Sequence, residues 1–146
     1  MEVVPAQVEY LESLAALFDL YRVFYQQVSD LDGAKLFLAE RLQAGDSQIF
    51  VAIATDNPIG FTQLYPSFSS VSMQKIWILN DLYVIESYRG RGVAHALMKT
   101  AERYARDTGA VRVTLSTQLS NAKAQTLYEA RGYVRDSEFS HYALEL

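Results

Sequence analysis

Asn80-Asp81-Leu82-Tyr83-Val84-Ile85-Glu86-Ser87-Tyr88-Arg89-Gly90-Arg91-Gly92-Val93-Ala94-His95-Ala96-Leu97-Met98 passes from a strand, through a turn with two glycines, into a helix. The strand pattern covers 75–84. The helix covers 92–107, with Val93, Leu97, Ala101 and Tyr104 on one face, and Thr108-Gly109 ends it. A helix start exposes unpaired N–H groups and a partial positive charge. Gly90 and Gly92 let the backbone approach a ligand closely, and Arg89 and Arg91 add charge. The combination suits a phosphate or pyrophosphate, although a solvated strand–turn–helix carries the same features. A P-loop is excluded, because no Gly-Lys-Ser/Thr follows. A dinucleotide fingerprint fails as well, since its third glycine position holds His95.

Outward from this stretch the elements alternate. A short strand is expected at 1–4. A helix covers 7–25, carrying Leu11, Leu14, Ala15, Phe18 and Tyr21 at helical spacing. A turn at 29–33 precedes a helix at 34–43, closed by Gly45. Strands at 47–54 and 59–65 flank a turn at 55–58 and form a hairpin. A Ser-rich loop is expected at 66–72. Beyond the central helix come a strand at 111–116, a helix at 121–130 ending at Arg131-Gly132, and two short strands near 133–135 and 139–144. A β-α-β crossover behind an antiparallel front half predicts a mixed α/β (α+β) sheet with one parallel pair.

Composition narrows the chemistry. The chain of 146 residues is half hydrophobic, which suits one domain over 1–146 with a packed core. The net charge of −4 argues against a nucleic-acid-binding protein. The absence of cysteine excludes disulfides, thiolate metal sites and a thiol nucleophile. Only His95 and His141 supply imidazoles, so no metal centre is expected. Residues 1–10 have no basic leader, and no apolar run approaches the ~20 residues of a membrane span, so a cytoplasmic location without membrane association is expected. The charge is uneven: residues 85–112 carry six Lys and Arg against three acids, around the turn suited to an anion.

The stretch Arg89-Gly90-Arg91-Gly92-Val93-Ala94 resembles the [Q/R]-x-x-G-x-[G/A] signature of the GNAT superfamily of N-acetyltransferases. Asp81-Leu82-Tyr83-Val84 is similar to that family's D-x-x-V strand end. Asn121-Ala122-Lys123-Ala124-Gln125-Thr126-Leu127-Tyr128-Glu129-Ala130-Arg131-Gly132-Tyr133 resembles its N-x-x-A-x-x-L-Y-x-x-x-G-F/Y segment. The order of elements also matches along the chain. The resemblance implies a mainly antiparallel sheet of about seven strands with a splayed parallel pair, flanked by about four helices.

It also implies a cofactor and roles. The pantetheine arm of acetyl-CoA would pair with the backbone of Leu82, Tyr83 and Val84. The pyrophosphate would sit on the N–H groups from Arg89 through Gly90, Arg91, Gly92 and Val93 to Ala94. Asn121 matches a cofactor-contacting position, and it is equally suited to cap its helix. Ala124 is small where that helix would meet the cofactor. Tyr128 matches the family's general acid, which protonates the departing thiolate; a buried core tyrosine is the plain alternative. A backbone N–H, such as that of Leu82, would stabilise the oxyanion. Asp81 is a candidate base for the amine, with a structural hydrogen bond or a water relay as alternatives.

The acceptor would lie among Phe24, Tyr25, Tyr65 and Asn80, where aromatic rings can hold a cation. Tyr65-Pro66-Ser67-Phe68 and the strand Trp77 to Val84 resemble the diamine acetyltransferase branch. That branch has Glu-Asp where this chain has Asn80-Asp81, so the pull on a second ammonium is lost. The expected partner is therefore a small-molecule primary amine, acetylated by direct attack in a ternary complex, with a peptide amine as the alternative. A non-catalytic acyl-CoA-binding module is the competing class, and a homodimer is compatible with the resemblance.

Overall fold

The computed structural model describes residues 1–146. Its elements are β1 (Glu2–Pro5), a 3-10 turn (Val8–Tyr10), α1 (Leu11–Phe24), α2 (Leu31–Ala44), β2 (Gln48–Ala54), β3 (Asn57–Ser69), β4 (Gln74–Val84), a 3-10 turn (Glu86–Tyr88), α3 (Val93–Asp107), β5 (Val113–Thr114) and α4 (Ala122–Ala130). One mixed sheet has the order β1-β2-β3-β4-β5. Its first three pairings are antiparallel and β4–β5 is parallel. No helix is long and apolar enough to cross a membrane. Two compact units emerge, Met1–Leu115 and Ser116–Leu146.

The first unit holds the sheet between two helical layers. On one face Leu14, Ala15, Leu17 and Phe18 of α1 pack with Leu38 of α2, Ile49 and Val51 of β2, and Phe61 of β3. Strand residues alternate faces, so Phe50 points the other way, where its ring meets Tyr104 of α3 at 5.5 Å. Leu97, Met98 and Ala101 bury the matching stripe of α3. The connection between α1 and α2 is tied by Asp19, which accepts from Ser29 Oγ (2.6 Å) and the Asp30 N–H (2.7 Å).

Several expected boundaries move for identifiable reasons. Helix α2 starts at Leu31 because the Asp30 side chain accepts from the Gly33 N–H and caps it. Thr55 and Asp56 both take positive φ, a two-residue hairpin turn whose twist matches its strands. Residues 66–69 continue β3 instead of looping. Pairing with β2 stops at Leu64, so Pro66 has only β4 beside it and its missing N–H breaks no two-sided ladder.

The second unit is built on α4. Asn121 Oδ1 accepts from the Ala124 N–H at 3.1 Å and caps the helix. Gly132, at φ 94°, ends it: its N–H bonds Glu129 O and that of Tyr133 bonds Tyr128 O. This closure takes the Tyr133 N–H, and Asp136 Oδ1 then accepts from the N–H groups of Glu138 and Phe139 in a local turn. These bonds occupy N–H groups at the start of each terminal strand expected near 133–135 and 139–144; neither strand forms, and the sheet has five strands where about seven were expected.

Candidate acetyl-transfer site

Strand β4 carries one edge that its neighbour does not cover. The parallel ladder with β5 joins only Trp77 to Val113 and Ile78 to Thr114. Residues 79–84 run on, paired with β3 on one side alone. An extended stretch with one free edge offers alternate N–H and C=O groups to an incoming chain. Leu82, Tyr83 and Val84 lie on it, half-buried or buried.

The turn after β4 is shaped by its glycines. Gly90 and Gly92 sit at φ 72° and 82°, and nothing lies within 4 Å of where a Cβ would stand, so backbone conformation demands glycine here. Gly92 is the N-cap of α3 and offers no side-chain acceptor, and the first turn holds no acid. By contrast Asp30 caps α2 and Asn121 caps α4. The N–H groups at the head of α3, from Val93 and Ala94 onward, thus face a position suited to an anion.

The two arginines take different places. Arg89 folds back: its Nε donates to Val84 O at 2.8 Å, and its guanidinium lies 5.6 Å from the Phe24 ring and 5.4 Å from that of Tyr83. It joins the turn to β4 and α1. Arg91 is exposed over Tyr88 at 5.2 Å.

Beside the free edge lies a buried carboxylate. In the β3–β4 register Gln63 faces Asp81 while Leu64 faces Leu79, so Asn80 is an extra residue, a β-bulge. Asp81 is 4% exposed and Gln63 fully buried. Gln63 Nε2 donates to Asp81 Oδ2 (2.8 Å), and Asn80 Nδ2 donates to Oδ1 (3.1 Å). Burial raises the Asp81 carboxyl above the ordinary aspartate range, and hydrogen bonds from Gln63, Tyr21 and Asn80 oppose it. Tyr65 is pushed up to about 12, first by burial and then by the charge of Asp81.

Aromatic rings gather over this region. Tyr21 meets Tyr25 at 5.1 Å, Phe61 at 5.7 Å and Tyr83 at 6.2 Å, and Phe24 meets Tyr25 at 5.2 Å. The Tyr21 hydroxyl reaches Asn80 O at 3.4 Å. Phe24, Tyr25, Asn80 and Asp81 are thereby linked through Tyr21. Trp77 instead is core, donating to Thr108 Oγ1. In the second unit, Asn121 and Ala124 form the cap of α4, and the half-buried Tyr128 lies 6.2 Å from the Tyr133 ring. His95 and His141 are exposed. Gln63, not among the residues expected from the sequence, joins this site; its signal in the chain is a glutamine within the strand segment 59–65, beside Ile59, Phe61 and Leu64.

Residues 14–133 match the acetyltransferase (GNAT) family, and the chain belongs to it. It is an N-acetyltransferase by kinship. It is 46% identical to the uncharacterized N-acetyltransferase YhfO of Bacillus subtilis (strain 168), over 100% of this chain and 98% of that one. A crystal structure of a probable acetyltransferase shares 44% identity at a TM-score of 0.94, covering 100% of this chain and 98% of the other. The fold also matches an aminoglycoside N-acetyltransferase, AAC(6')-Iy, crystallised with CoA (22% identity, TM-score 0.83, 99% and 95% covered).

Proposed function

We propose that the protein transfers an acetyl group from acetyl-CoA to the primary amine of a small molecule, by direct attack in a ternary complex within one catalytic domain spanning 1–146. The observation that carries this reading is the α3 head without side-chain cap or acid, reached from a β4 edge that β5 leaves uncovered. The edge at Leu82–Val84, where the Val84 carbonyl also holds Arg89 Nε, receives the pantetheine amides, and within the 89–94 turn the N–H groups from Gly90 to Ala94 receive the pyrophosphate, that of Arg89 being bonded to Glu86 O. The match to the family model extends across both compact units, which supports a single domain.

Acetyl-CoA supplies an acyl group already activated as a thioester. The amine must lose a proton, and Asp81 accepts it, directly or through water, from the acceptor held among Phe24, Tyr25, Tyr65 and Asn80. Its raised proton affinity makes it a better base than an ordinary aspartate. The Tyr128 hydroxyl gives a proton to the departing sulfur and regains one from the acylated nitrogen as the neutral amide forms, and the Leu82 N–H stabilises the developing oxyanion.

The test is release of free CoA across a panel of amines that includes peptide N-termini. Tyr128→Phe is expected to lower kcat by about 10²-fold while acetyl-CoA affinity, read by calorimetry, stays within about twofold. An unchanged kcat would remove Tyr128 from the chemistry.

A further inference from the structure

Gln63 is the one long polar side chain closed wholly inside the sheet, and both ends of its amide are engaged. Its Nε2 donates to Asp81 Oδ2 at 2.8 Å, and its Oε1 accepts from Ser47 Oγ at 2.9 Å. The chemistry of the partners sets this orientation: an ionised carboxylate only accepts, and a hydroxyl at the other end can donate. Ser47 is anchored just ahead of β2, Gln63 on β3 and Asp81 on β4. The three side chains therefore form a hydrogen-bonded line across three neighbouring positions of the sheet, ending at the bulge.

The bulge explains why such a line is needed. The extra residue Asn80 breaks the β3–β4 ladder beside Asp81, so regular pairing does not by itself hold the strand there. The Asp81 carbonyl accepts from Thr62 Oγ1 at 2.9 Å, which fixes the main chain. The carboxylate is fixed separately, by Gln63 on one oxygen and Asn80 on the other. A buried amide left without partners would be costly, so retaining glutamine at a fully buried strand position is meaningful only with this network.

We propose that Gln63 is a positioning residue of the acetyl-transfer reaction, with Ser47 behind it, orienting the Asp81 carboxylate and keeping it available as a proton acceptor. This rests on the reading of Asp81 as the base. The other groups that face the cluster are Tyr21 from α1 and Tyr65 from β3. Arg41 and Asp46, paired at 2.9 Å, act on Tyr65 from α2 and its end. Tyr21 and Tyr65 are neutral through the range where a carboxyl titrates, so neither adds a changing charge there; burial raises the Asp81 midpoint, and among the hydrogen bonds that oppose it the one from Gln63 acts most.

The experiment follows the Asp81 carboxyl carbon by NMR through a pH titration of aspartate-labelled protein, assigned with Asp81→Asn. Gln63→Leu is expected to raise the Asp81 midpoint by about one pH unit, because one donor to the charged form is lost. Ser47→Ala, which frees only the far end, is expected to move it the same way by less. In CoA release with the amine panel, Gln63→Leu lowers kcat about tenfold, because the carboxylate loses the amide that orients it and the misplacement outweighs its higher proton affinity, while acetyl-CoA affinity holds within about twofold. An Asp81 midpoint unmoved in Gln63→Leu overturns the proposal, as does a loss of acetyl-CoA affinity equal to the loss in kcat. Should Gln63→Leu fail to fold, Ser47→Ala decides by the same midpoint. If Asp81→Asn turns over as fast as the parent, the base assignment fails instead, whatever the NMR shows of the Gln63–Asp81 coupling.

Discussion

Gly60→Ala tests how tightly the donor strand is held. Gly60 lies on β3 opposite Val84. An added Cβ would stand 2.8 Å from Tyr83 O, 3.2 Å from Val84 Cγ2 and 3.3 Å from Leu97 Cδ1. A backbone oxygen cannot rotate away, so β4 or β3 must move. Overpacking of this kind costs ~1–3 kcal/mol, against a gain of ~0.4–1 kcal/mol from the stiffer unfolded chain. The expected net loss is about 1–2 kcal/mol, a fall of roughly 3–6 °C in Tm for a domain of this size. The strand would yield at residues 83–84, the edge assigned to the pantetheine arm, so acetyl-CoA should bind more weakly too. Urea unfolding followed by circular dichroism reads the stability, and calorimetric titration reads the affinity. Gly45→Ala is the control: φ is +62° with nothing within 4 Å, so strain of ~1 kcal/mol is expected and acetyl-CoA binding should not change. A Gly60→Ala protein as stable as its parent would refute the packing argument. One that is destabilised yet binds acetyl-CoA normally would remove residues 83–84 from the donor site.

Two further outcomes are expected. Arg89→Ala removes the bond to Val84 O and the two ring contacts, and should cost about 1–2 kcal/mol in urea unfolding; Arg89→Lys should recover less than half, because an ammonium lacks the planar fork. Asp19 is held below its ordinary value of 3.8, first by Ser29 Oγ and then by the Asp30 N–H, with burial opposing them. Its depressed folded value means stability present above pH 3.8 and lost as pH falls through the folded value. Asp19→Asn should therefore unfold more easily at neutral pH, and its gap from the parent should narrow below pH 3.8; a constant gap would refute the coupling.

Asp81 acts with the opposite sign. Its raised folded value favours the protonated carboxyl, so its contribution to stability declines as pH rises from 3.8 through that folded value. The proposed role of Asp81 as proton acceptor would give a group that costs stability at neutral pH its use.

Local chemistry was enough to read the turn and its helix from the chain alone. Positive φ calls for glycine at 90 and 92, a short polar side chain caps at Asn121, and Gly132 closes α4; each is decided within a few residues. The alternation of elements likewise follows from local periodicity. Tertiary structure decided what depends on distant partners. The β3 strand runs through Pro66 because β2 has already ended, and where strands were expected near the end of the chain the Tyr133 N–H closes α4 while those of Glu138 and Phe139 turn onto Asp136. Arg89 turns to Val84 and the Phe24 ring, which no spacing along the turn reveals. The bulge at Asn80 and the link from Ser47 through Gln63 to Asp81 join residues far apart in sequence. A side chain's proton affinity is set by what surrounds it, and only folding brings those surroundings together.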